Sequence, residues 1–244
     1  MARVTDKGII GAVGPVIFYS MNGKTYARSM PKKRKNKRSP AEKNLNSIFG
    51  TVSKYGTAMI KFMNQQGVFL FPFGRHVYNK LRGWMRNLYA ANVGERDWEL
   101  SARTSGMCQL VEGIDLRDFW KTEIIVDDVG NGTIIIKLPE FNPKKDLKVP
   151  IRTMKVNLKL AAVTSTFKEM SPATCTFCTQ HSSFEYSNNP VPAKQFVLQT
   201  TAGTGDIALV VMALEFETTD SGKGSPNKEL RWLPAAVIAM GRLK

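Results

Sequence analysis

VIFYSMNGKTYARS, residues 16–29, decides how this chain begins to fold. Asn22-Gly23 stands between two β-prone runs. Both central residues of a two-residue type I′ turn need φ > 0, which Asn and Gly tolerate best. The stretch reads as a hairpin with strands Val16–Met21 and Lys24–Ser29, stopped by Pro31. Such a hairpin has too thin a polar face to bury itself and is marginal alone. It can instead add to a neighbour's sheet edge through main-chain hydrogen bonds. Val16, Phe18, Asn22, Gly23 and Tyr26 are therefore the candidate assembly residues.

Upstream, Gly8-x2-Gly11-x2-Gly14 precedes a strand rather than opening a helix after one, and no P-loop Lys-Ser/Thr follows. Nucleotide binding lacks its context, and the glycines read as a flexible entry to the hairpin. Arg3 and Lys7 precede an apolar stretch, but Gly11, Gly14 and Pro15 interrupt it and no cleavage-type site follows closely, so it reads as structure and not as a leader. No apolar run approaches the ~20 residues a bilayer needs. A cytoplasmic or particle-associated setting is expected.

Downstream comes PKKRKNKRSP, with Lys32, Lys33, Arg34, Lys35, Lys37 and Arg38 in one link. Like charges at this density need water or an anion, so the link is a solvated arm or a polyanion site. Residues 1–54 hold 12 basic and 2 acidic residues and residues 55–104 hold 7 and 3, whereas residues 105–244 hold 16 and 15, so the basic character behind the net charge of +15 belongs to the first two fifths of the chain. Nucleic acid, another polyanion or an acidic partner is the expectation. Ser39-Pro40-Ala41-Glu42 then starts a helix with an N-cap, a first-turn proline and a capping box. Leu45, Ile48, Phe49, Val52, Met59, Phe62 and Met63 recur at helical spacing. A second amphipathic helix is expected from about Arg75 to Ala91, its apolar stripe Val77, Leu81, Trp84, Met85 and Leu88. Arg75, Arg82 and Arg86 fall in one arc on another face and could extend the basic surface.

From about residue 122 the period becomes two. Glu123–Val126 and Thr133–Leu138 flank Gly130-Asn131-Gly132, a second hairpin. Lys155, Asn157 and Lys159 alternate with Val156, Leu158 and Leu160, as in a half-buried strand. Thr174–Thr179, Gln195–Thr200, Ile207–Glu217 and Ala235–Met240 are further strands. Ser187–Pro192, Ala202–Asp206 and Thr219–Asn227 are the turn-rich links between them. The fold class is α+β: an N-terminal hairpin, two amphipathic helices, then an antiparallel β-sandwich or barrel-like domain. The division is 1–104 and 105–244.

Chemistry-bearing motifs are sparse. Cys175-x2-Cys178-x2-His181 resembles half a zinc site, but positions three apart on a strand face opposite ways, and no second ligand pair follows. Asp127-Asp128 sits beside a turn, where Asp is common for local reasons. With two histidines and no nucleophile or metal-protease motif, a non-enzymatic protein without cofactor or metal is expected.

Gly8-Ile9-Ile10-Gly11, Gly14-Pro15-Val16, Asn22-Gly23-Lys24 and Tyr26-Ala27-Arg28-Ser29-Met30-Pro31 carry a resemblance. The first ~60 residues resemble the start of a group of uncharacterised proteins common in Bacteroidota. The resemblance implies the same N-terminal organisation and no catalytic or binding residues. The functional expectation is a self-assembling structural protein, a homo-oligomer forming a filament, shell or virion-like particle, with the basic link meeting a polyanion or neighbouring subunit. A nucleic-acid-binding protein using Lys32–Arg38 is the alternative.

Overall fold

A two-residue link, Gly14-Pro15, joins two strands of the N-terminal sheet. In the computed structural model, which describes residues 3–5, 8–21, 24–31, 39–66, 77–79, 82–83, 108–165, 175–203, 206–220 and 223–243, the chain divides into two compact units, 1–45 and 46–244. The first unit holds β1 (Arg3–Thr5), β2 (Gly8–Val13), β3 (Val16–Met21) and β4 (Lys24–Ser29), paired antiparallel in chain order. The strands of the expected hairpin have the expected bounds, and Tyr19 lies opposite Tyr26. The glycine-rich entry, expected to be flexible, is itself strand β2. Its partner is β3, with Val13 opposite Val16 across Gly14-Pro15. Gly14 has φ +55°, and the Pro15 ring fixes φ at about −65°. Positive then negative φ is the sign pattern of a II′ hairpin turn, which matches the twist of the flanking strands.

Helix α1 spans Pro40–Gln66. The Lys43 amide donates to the Ser39 carbonyl at 3.0 Å, which sets Ser39 at the N-cap and Pro40 at the first helical position. Of the second expected helix, Val77–Asn79 and Arg82–Gly83 are described and helical. The rest of it, with Arg75 and Arg86, lies outside the described residues.

The second unit is built on antiparallel sheets. β5 (Cys108–Gln109), β13 (Ala235–Arg242), β11 (Ile207–Asp220), β8 (Thr153–Ser165) and β9 (Cys175–Glu185) lie side by side in that order. β12 (Lys223–Pro226) folds back on β11. A smaller sheet has the order β10 (Lys194–Gln199), β7 (Thr133–Leu138), β6 (Ile125–Gly130). Among the described residues no sheet closes into a barrel, so that expectation is corrected. Lys223–Pro226, inside a stretch expected to be turn, is a strand because β11 runs on past Glu217 and offers it a partner, Thr218 opposite Ser225.

β11 explains its own sequence. Ala208, Val210, Met212, Leu214 and Phe216 join a core with Ile134 and Ile136 of β7 and Phe196 and Leu198 of β10. Leu209, Val211 and Ala213 join a second core with Ala58, Met59, Ile60 and Met63 of α1. A strand covered on both faces reads as a continuous apolar run, not an alternating one. A bulge shifts the register between Val210 and Val211, whose partners on β13 are Ala239 and Val237. The extra residue, Ile238, inverts the alternation, so Ile238 and Ala239 both serve the inter-sheet core while Met240 serves the helix side. No helix among the described residues is long and apolar enough to cross a membrane.

Candidate functional site

The β1–β4 sheet lacks what makes the second unit stable. Among its described side chains none is buried. Val13 is 52% exposed, and Ile9, Ile10, Tyr19, Tyr26 and Met30 are also exposed. Register assigns the faces. Ala12, Ile17 and Arg28 form one cross-sheet row and Tyr19 with Tyr26 the next on the same face. Gly11, Phe18 and Ala27, then Val13, Val16 and Ser29, belong to the other face. The tyrosine rings stack with centroids 5.7 Å apart, and the Arg28 guanidinium stands 5.7 Å over Tyr19. Of the candidate assembly residues, Val16 and Phe18 are half-buried on the inner strand β3 and Tyr26 is exposed on β4. Asn22 and Gly23 lie outside the described residues.

β4 is an edge, and all six of its residues are exposed. The Met30 amide donates to the Pro15 carbonyl at 2.5 Å. Antiparallel ladders alternate in direction every residue, so the amides of Tyr26 and Arg28 also turn inward to β3. Those of Ala27 and Ser29 turn outward. β4 leads through Pro31 to Lys32, Lys33, Arg34, Lys35, Lys37 and Arg38, which lie outside the described residues. Both flanks of that link, Pro31 and Ser39, are exposed.

Arg82 is half-buried, and its Nη2 donates to Thr57 Oγ1 on α1 at 2.7 Å. Cys175 belongs to the core under α1, while Cys178 packs against the inter-sheet core. The two thiols therefore point to opposite faces of β9. Burial pushes the Cys175 thiol above its ordinary range, against a smaller opposite effect of the Ser165 hydroxyl. Asp127 pairs with Lys137 at 2.7 Å, and Asp128 accepts from the Gly130 amide at 2.9 Å within the turn.

Two clusters escaped the sequence reading. On the α1 side of the large sheet, beyond the apolar core, Lys159 Nζ donates to Glu215 at 2.6 Å. Asn157 donates to Glu217 at 2.8 Å and accepts from Ser183 Oγ at 2.6 Å. The signal was present as period-two charge on two strands, Lys155/Asn157/Lys159 and Glu215/Glu217, but their pairing is long-range. A cleft of about 250 Å³ is lined by Asp118, Phe119, Lys148, Arg231 and Trp232, among others. Lys148 lies over Phe119 at 5.4 Å and Arg231 over Trp232 at 6.0 Å. Glu229 already pairs with Arg231 at 2.7 Å, so the cleft is not a bare cationic pocket.

Comparison with known protein families, curated proteins and solved structures finds no match.

Proposed function

We propose that this chain is a non-enzymatic, self-assembling structural protein, the subunit of a filament, shell or virion-like particle. The second unit is read as a sandwich-like body, its two sheets packed through one apolar core. The observation that carries the proposal is the β1–β4 sheet, an open meander without a buried side chain among those described. A sheet needs a covered apolar face for independent stability, and this one exposes apolar side chains and an edge strand. A neighbouring subunit supplies both a cover and a partner for the edge. Light scattering after size-exclusion chromatography tests this by comparing the full chain with a variant lacking residues 1–31. Assembly of the full chain and a monomeric truncated chain are expected. A monomer in both cases at high concentration contradicts the proposal.

A second reading rests on Lys32–Arg38. Six cations in seven consecutive positions, within the basic first two fifths of the chain, support contact with nucleic acid. Log affinity then falls steeply with log salt, and neutralising the six lowers that slope. No binding at low salt rules it out. The readings are compatible, since a shell can line its lumen with basic links.

A further inference from the structure

We propose that β4 is completed by β4 of a second copy of this chain, antiparallel across a two-fold axis centred on Ala27. The inference rests on the self-assembly reading and names its interface. The sheet has two edges, but β1 has three residues and β4 has six. Because odd-numbered β4 residues turn their backbone groups outward, only registers pairing odd with odd form a ladder. Charge then chooses among them. Centred on Tyr26, the pairing sets Lys24 opposite Arg28. Centred on Arg28, it sets arginine against arginine. Like charges directly opposite are destabilising. Centred on Ala27, Arg28 lies opposite Tyr26 of the second copy, and Lys24 opposite Met30. That register also gives the longest overlap within Lys24–Met30. Arg28, already over Tyr19, then borders the stacked tyrosines of the other copy, a cation–π arrangement. The contact is isologous and closes on itself. It makes a dimeric building block with one continuous eight-stranded sheet, twice the four strands of one copy.

Cysteine cross-linking tests the register. Residues facing each other in a hydrogen-bonded antiparallel pair have Cα atoms ~5.5 Å apart, within disulfide reach. Ala27→Cys is expected to form a covalent dimer under mild oxidation as the major species. Thr25→Cys and Ser29→Cys each stay at the background set by the unsubstituted chain, but an equal mixture of the two cross-links. The mixture keeps the test alive if Ala27→Cys does not fold, which far-UV circular dichroism reports. Assembly by light scattering with neither Ala27→Cys nor the mixture above background overturns this interface and leaves the self-assembly reading standing. A monomer at every concentration overturns both. Thr25→Cys linking to itself as well as Ala27→Cys does overturns the register.

Discussion

Gly132→Ala should be strongly destabilising, because the added methyl meets main-chain atoms. Gly130, Asn131 and Gly132 carry φ of 87°, 53° and 71°, so the β6–β7 turn is left-handed throughout. A Cβ on Gly132 would lie 2.6 Å from the Ala202 carbonyl oxygen and 2.7 Å from that of Thr200, both main-chain atoms. Relief requires β7 and the segment after β10 to separate. The Gly132 carbonyl there accepts from the Thr200 amide and from Thr200 Oγ1, each at 2.9 Å. Left-handed backbone costs an L-residue ~1–2 kcal/mol, and two hydrogen bonds contribute ~1 kcal/mol each. The expected loss is about 3–4 kcal/mol, or a fall in Tm of roughly 6–16 °C for a body of this size. Gly50→Ala is the internal control. Its Cβ meets nothing within 4 Å and the site is helical, so the same methyl should stabilise by up to ~1 kcal/mol. Urea and thermal unfolding of both variants provide the comparison. A Gly132→Ala protein within 1 kcal/mol of the parent would refute the close approach of the turn to Thr200–Ala202.

Other substitutions address the second unit. Lys159→Met leaves Glu215, 9% exposed, without its 2.6 Å partner. A loss of about 1–3 kcal/mol is expected in urea unfolding, largely recovered by adding Glu215→Leu. Asp115 accepts from Gln109 Nε2 and caps Leu116–Phe119 through the Arg117 amide. The Arg117 side-chain hydrogen bond holds its carboxyl below the ordinary range. Its stabilising contribution is therefore full above the ordinary carboxylate pKa of about 3.9 and fades as pH falls through the lower folded value. Asp115→Asn should lower Tm at neutral pH and converge with the parent in acid, as followed by thermal melts across pH. The raised Cys175 thiol has less thiolate at neutral pH, so mass spectrometry after thiol labelling should find it modified only on unfolding.

What the sequence made legible was local. The β3–β4 hairpin and Thr133–Leu138 follow from turn residues and short-range alternation, and both have the expected bounds. Gly8–Val13 was read as entry chain because glycines mask strand propensity, while pairing with β3 decides it. Lys223–Pro226 depends on how far β11 extends, and Glu215 and Glu217 meet Lys159 and Asn157 from 56 and 60 positions away. No local pattern encodes that separation. The basic link is legible as composition, and its effect depends on the surface it meets.

Amide hydrogen exchange along β4 tests most directly that the N-terminal sheet is completed by another molecule. As concentration rises into the assembled range, the outward amides of Ala27 and Ser29 should gain protection matching that of Tyr26 and Arg28. Ala27 and Ser29 exchanging as open amides at every concentration would contradict it.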